Sequence, residues 1–121
     1  MQTIIAVVDD LFFASKIRGT AEQVGAQVHF VKSITDAQAK ARDKAAALII
    51  VDLNARCSDP VELARALKGD DNLNAIPLLG FFSHVQTELQ SAALDAGYDR
   101  VLPRSAFTKN LAEILRGDTV G

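Results

Sequence analysis

The chain has 121 residues, 49% of them hydrophobic, enough for one globular domain with a substantial core. Thirteen basic against fifteen acidic residues leave a net charge of −2 with no block of like charges, which excludes the basic footprint of a nucleic-acid binder. Cys57 is the single cysteine, so an internal disulfide and a cysteine-based zinc site are excluded, and a reducing, cytoplasmic location is expected.

The first apolar run, Thr3 to Val8, has no basic residue before it and ends in Asp9 and Asp10, so it reads as a strand and not as a secretion signal or membrane span. A helix follows with Phe13, Ile17, Ala21 and Val24 on one stripe, closed by Gly25. Gln27 to Val31 is the second strand. Ser33 with Asp36 opens a second helix, whose buried stripe is only Ala37, Ala41 and Ala45. The third strand, Ala47 to Asp52, is nearly all apolar and, like the first, ends in an aspartate. Asp59, Pro60 and Glu62 mark the start of a third helix, and Pro77 to Phe82 forms the fourth strand. Ser83 with Gln86 reads as the cap of a fourth helix that buries Val85, Leu89, Ala92 and Ala96 and stops at Gly97. Arg100 to Leu102 is the last strand. A fifth helix from Ser105 buries Phe107, Leu111 and Leu115, and the tail from Gly117 reads as frayed.

Short apolar runs alternating with stretches of helical period predict five βα units, a parallel sheet and a single domain over residues 1–121. In such sheets ligands sit beyond the carboxyl ends of the strands, where the strand order reverses. An order of 2-1-3-4-5 makes strands one and three neighbours and brings Asp9, Asp10 and Asp52 together. Taken alone, the Asp9–Asp10 pair fits a solvated turn or a helix cap. A third carboxylate across a crevice is costly unless a cation intervenes, and magnesium, which takes one or two carboxylates with waters and phosphate oxygens, suits the set. No glycine-rich phosphate loop follows the first strand, and His29, His84 and Cys57 are too scattered for a nucleophile-base pair or a zinc motif, so no enzyme activity is expected. His84 reads as a partly exposed helix-start histidine, His29 as remote from the aspartates, and Phe12 as an aromatic that the first helix does not need for its buried stripe.

Four motifs carry a resemblance. Val8-Asp9-Asp10, Val51-Asp52-Leu53-Asn54, Pro77-Leu78-Leu79 and Asp95-Ala96-Gly97 together resemble the receiver domain of two-component response regulators, over essentially the whole chain. The resemblance implies a flavodoxin-like (βα)5 three-layer sandwich with Asp52 as phosphoacceptor. It implies magnesium held by Asp9, Asp10, Asp52 and the backbone carbonyl of Asn54. The phosphoryl group would come from a histidine kinase or a small phosphodonor and pass to the Asp52 carboxylate. With only a short tail after the fifth helix, output is expected through a protein partner. By resemblance that partner contacts the fourth helix, fifth strand and fifth helix, which here carry Gln86, Gln90, Tyr98, Arg100 and Lys109. Neither nucleic acid nor a membrane is expected as a partner.

The sequence also departs from that family. Phe82 stands where a threonine or serine donates to the phosphoryl group, with Ser83 beside it either as a replacement donor or as a helix cap. Arg104 and Ser105 stand where a lysine and a proline are usual, and two such cations are not interchangeable at a phosphate site. Val101 replaces the switch aromatic. The loop Asn54 to Pro60 lacks the usual methionine-proline and glycine, and its Arg56 reads either as approaching the pocket or as an exposed loop arginine. Two functional readings follow: a receiver phosphorylated on Asp52, or a pseudo-receiver that binds partners without phosphorylation. An enzyme built on the same scaffold is a third reading with no residue to recommend it.

Overall fold

Strands β1 (Thr3–Val7), β2 (Gln27–Val31), β3 (Leu48–Asp52), β4 (Leu78–Phe82) and β5 (Arg100–Pro103) pair in parallel in the order β2-β1-β3-β4-β5 in a computed structural model, which describes residues 2–117. The connections are helices α1 (Leu11–Val24), α2 (Ile34–Asp43), α3 (Pro60–Lys68) and α4 (Thr87–Ala96), and the chain ends in α5 (Arg104–Lys109) and α6 (Leu111–Arg116). This is the α/β flavodoxin-like architecture predicted from the sequence.

The sheet is covered on both faces, which is why β1 from Ile4 to Val7 and β3 from Leu48 to Val51 are apolar without a break. On one face Phe13, Ile17 and Ala21 of α1 pack with Phe107 of α5 and Leu111 and Leu115 of α6 against Ile4, Ala6, Ile50 and Phe81. On the other, Ala37 and Ala41 of α2, Leu63 and Leu67 of α3 and Ala93 of α4 pack against Ile5, Val7, Ile49 and Val51. Each fully buried leucine, isoleucine or phenylalanine contributes roughly 1.5–3 kcal/mol relative to exposure, and these two layers hold the strand ends in place.

Three helix boundaries differ from the sequence-based expectation. Ser83 does not cap the fourth helix: α4 begins at Thr87, and its cap residue Gln86 makes no side-chain capping bond. Val85, expected on the buried stripe, is 77% exposed, while Ala93 is the fully buried residue of α4. Here the Ser83 N–H, which the Gln86 side chain would accept from in a capping box, is bonded to Asn54 Oδ1, as is the His84 N–H, and the Ser83 hydroxyl is engaged by Arg104. Ala45 lies beyond the end of α2, exposed and at φ 51°, and Ala46 takes the buried place. The fifth helix is broken at Asn110, whose side-chain Nδ2 donates to the Ala106 carbonyl, so Phe107 is on α5 and Leu111 and Leu115 on α6, all three buried as expected. Gly117 closes α6 at φ 85°; the tail read as frayed from there lies otherwise outside the described residues.

Candidate functional site at the carboxyl edge of the sheet

β1 and β3 are hydrogen-bonded neighbours with Val7 opposite Val51, so Asp9, Asp10 and Asp52 leave the sheet at the same edge. Asp52 is the last residue of β3 and is only 8% exposed, the one buried charged or polar residue among those described. Its Oδ1 accepts a hydrogen bond from the Asn54 N–H at 2.9 Å. Burial lifts its carboxyl above the ordinary range, and the charges of Asp9 and Asp10 add to this; the Asn54 amide and the Arg104 guanidinium work in the opposite direction.

The other two carboxylates have partners of their own. Asp10 is the N-cap of α1: one of its oxygens accepts from the Phe13 N–H at 3.1 Å, and the other lies 3.5 Å from Nη2 of Arg104. Asp9 Oδ2 accepts from the backbone N–H of Arg56 at 3.0 Å. No group of three or more histidine, cysteine, aspartate and glutamate side chains that could hold a metal ion occurs among the described residues. Asp9 and Asp52 remain as hard oxygen donors not committed to a cation of the protein. Magnesium requires only one or two carboxylates when phosphate oxygens and water complete its shell, so this pair fits the ion while Asp10 is engaged elsewhere.

Arg104 starts α5 directly after β5 and spans the cleft. Its Nη1 donates to Ser83 Oγ at 3.3 Å, and its guanidinium carbon stands 3.9 Å from the ring centroid of Phe13. Phe13 belongs to an aromatic cluster in which its ring centroid lies 5.0 Å from Phe81 and 5.8 Å from Phe107, while Phe81 and Phe107 stack at 4.5 Å and 9°. A planar guanidinium can lie on a ring and extend N–H groups to Asp10 and Ser83 at once, which an ammonium cannot do. This gives the arginine at position 104 a local reason. Ser83 accordingly presents its hydroxyl to Arg104 and not to a helix terminus.

Asn54 is the second bridge. Its Oδ1 accepts from the N–H groups of Ser83 at 2.7 Å and His84 at 3.2 Å, and its Nδ2 donates to Gln86 Oε1 at 3.3 Å. Phe82 and Val101 are partly buried and each packs against the core on the α2–α4 face, so the phenyl ring at the end of β4 is a packing element. His84 is exposed in the β4–α4 loop, His29 pairs with Ile5 on β2 away from the carboxylates, and the Arg56 side chain is exposed. Burial and the charge of Asp9 push the Cys57 thiol up, which makes it a poor nucleophile. A hollow of about 210 Å³ opens at the opposite edge of the sheet, among Gln2, Leu48, Pro77, Asp99 and Ile114, and takes no part in this site.

Three contributors were not foreseen from the sequence: the carboxamide of Asn54, the backbone N–H of Arg56 and the Phe13 ring beneath Arg104. The sequence offers Asn54 for its carbonyl only, and Phe13 for its place on a buried stripe. Nothing in one-dimensional spacing links residue 54 to residue 83 or residue 13 to residue 104.

No family model and no curated relative matches the chain. Solved structures do. A response regulator from Hahella chejuensis aligns at a TM-score of 0.83 with 17% identity over 100% of both chains. The chemotaxis protein CheY4 of Vibrio cholerae aligns at 0.83 with 20% identity over 98% of this chain and 99% of its own. The receiver domain of a Pseudomonas aeruginosa sensor histidine kinase, solved with a magnesium ion coordinated in its active-site cleft, aligns at 0.77 with 19% identity over 96% and 98%. With the sheet order, the two helical layers and the acidic strand ends already established, these likenesses identify the fold of this chain as that of the response-regulator receiver domains.

Proposed function

We propose that the chain is a receiver module of phosphorelay signal transduction that accepts a phosphoryl group on Asp52. The observation that carries this reading is the state of Asp52: a carboxylate buried at the carboxyl edge of the sheet, raised in basicity by its surroundings, with one oxygen bonded to the Asn54 amide. Oδ2 is then the oxygen that attacks phosphorus. A bond forms between Asp52 Oδ2 and phosphorus as the bond from phosphorus to the donor breaks, and the donor leaves with the electron pair. The Asn54 N–H stays on Oδ1 and draws charge from the acyl phosphate so formed. A magnesium ion held by Asp9, Asp52 and the Asn54 carbonyl would neutralise charge on the transferring oxygens. From the opposite side Arg104 supplies a fixed cation, with Ser83 Oγ beside it.

The phosphodonor in this reading is a histidine kinase or a small acyl phosphate, and the output passes through a protein partner on the face of α4, β5 and α5. The chain turns over no substrate of its own. In this reading the chain acts in the cytoplasm; no helix among the described residues is long and apolar enough to cross a membrane.

The test is to incubate the chain with magnesium and acetyl phosphate and weigh it. One added phosphoryl group is expected, sensitive to hydroxylamine and lost in Asp52→Asn. Failure to label with acetyl phosphate or with any phosphohistidine donor overturns the reading. The second reading, a pseudo-receiver that signals without phosphorylation, draws on one observation: Asp10 is bonded to Arg104, so the acidic edge carries a built-in countercharge. Magnesium titration followed by amide shifts separates the two, since binding near Asp9 and Asp52 favours the phosphorylated form and none favours the pseudo-receiver.

A further inference from the structure

We propose that Phe13 is a positioning residue for phosphoryl transfer: its ring seats the Arg104 guanidinium at the cleft, so that this site works with arginine and works less well with lysine. This rests on the functional reading above, in which Arg104 is the protein's own cation at the phosphoryl group. The guanidinium carbon stands over the Phe13 ring, 3.9 Å from its centroid, well within the range of a cation–π contact.

The seat is built from the ring, a carboxylate and a hydroxyl. Phe13 is only 4% exposed, and Phe81 at 5.0 Å and Phe107 at 5.8 Å hold its ring in place. Asp10 Oδ2 lies 3.5 Å from Nη2 of Arg104, while Asp10 Oδ1 accepts from the Phe13 N–H, so carboxylate and ring belong to one turn of chain. Nη1 donates to Ser83 Oγ at 3.3 Å. An ammonium is a single point on a flexible stem and cannot cover the ring and reach both Asp10 and Ser83, so a lysine could not use this seat.

The seated guanidinium acts on the acceptor. Its charge draws the Asp52 carboxyl down, against the burial that raises it. Ser83 and Asp10 take one contact each, which leaves the rest of its five N–H donors for an anion. As the bond forms between Asp52 Oδ2 and phosphorus, the bond from phosphorus to the donor breaks and the donor leaves with the electron pair. Charge is then spread over the equatorial phosphoryl oxygens. A planar fork can donate to two of these at once, and a fork fixed before the phosphoryl group arrives spares the transfer step the entropy of ordering a long side chain.

The experiment follows the full chain with magnesium and acetyl phosphate, reading the adduct by mass against time, and records NMR spectra of the same samples before the donor is added. In the native chain the Arg104 side-chain protons are expected upfield, moved by the Phe13 ring current, and in Phe13→Leu they return to ordinary positions. Phe13→Leu slows labelling roughly two- to fivefold, the range set by one partly exposed cation–π contact. Arg104→Lys slows it as well, although it installs the residue usual in receiver domains. The double variant is about as slow as either single one, because the ring acts only through the guanidinium. Phe107→Leu is the control for packing: it removes a fully buried ring of the same cluster, lowers stability in urea, and keeps the Arg104 shifts and the rate. The native Arg104 shifts and the Arg104→Lys rate decide the matter even where Phe13→Leu is too unstable to label. Arg104 protons without a ring-current shift, an undiminished rate in Arg104→Lys, losses that multiply in the double variant, or equal slowing in Phe107→Leu each overturn the positioning role and spare the functional reading. Absence of any adduct on the native chain overturns both.

Discussion

The two walls of the cleft are built in different ways. On one side β1 and β3 deliver Asp9, Asp10 and Asp52 as strand-end residues, and their meeting is dictated by backbone pairing, Val7 opposite Val51. On the other side β4 and β5 lead into Ser83 and Arg104, whose positions depend on side chains: the guanidinium rests on Phe13, and the serine amide hangs on Asn54. A wall made by register tolerates change in its neighbours, whereas a wall made by packing and single hydrogen bonds loses its shape when one member is removed. The acidic wall is therefore the fixed part of the site and the arginine wall the adjustable one.

The largest expected effect breaks the packed wall. Phe81 is fully buried and stacked on Phe107, and Phe81→Ala should lower stability by roughly 3–5 kcal/mol in urea denaturation. A loss under 1 kcal/mol would mean that the aromatic cluster does not support Arg104. Next, Asp10→Ala removes the cap of α1 together with the anionic partner of Arg104 and should cost about 0.5–2 kcal/mol by the same measurement. An unchanged midpoint would show that neither the α1 cap nor the Arg104 pair at Asp10 contributes, and the contrast between the walls would weaken. Arg104→Ala, at a half-exposed position, should cost about 0.5–1 kcal/mol, and Arg104→Lys should restore only part of it because an ammonium cannot lie flat on Phe13 and reach Ser83 as well. Full rescue by lysine would reduce the arginine to a point charge.

The smallest effect sharpens the acidic wall. The Asp52 carboxyl is raised in the folded chain, so the folded state holds its proton more tightly than the unfolded one. The stability this confers is present at low pH and is lost as pH rises through the folded-state value. Asp52→Asn, which keeps the oxygen that faces Asn54, should thus be more stable than the native chain at neutral pH. The two should converge as pH falls below the ordinary carboxyl value of 3.8. Parallel stability curves across this range would show that Asp52 is not desolvated.

Much of the acidic wall was legible in advance. Thr3–Val8 and Ala47–Asp52 each read as an apolar strand ending in aspartate, and a parallel sheet in the predicted order leaves those ends no other place to go. The helix stripes through Phe13 and Ile17 and through Phe107 and Leu111 were equally plain, because a period of 3.6 residues is recorded locally. The β4–α4 segment departs from its sequence pattern for a physical reason. Ser83 and Gln86 have the spacing of a capping box, but the Ser83 N–H that the Gln86 side chain would take is bonded to Asn54, 29 residues away. The same holds at Ser83 Oγ, which Arg104 engages from 21 residues downstream.

Alternation of apolar runs, helical period and strand-end chemistry determined the five-unit parallel sheet and the edge at which three aspartates gather, since these are properties of neighbours along the chain. Only the tertiary structure decided which partner each carboxylate takes, where the fourth helix begins and what holds the arginine. Those are contests between hydrogen-bond and packing partners far apart in sequence, and they are settled by distance in space.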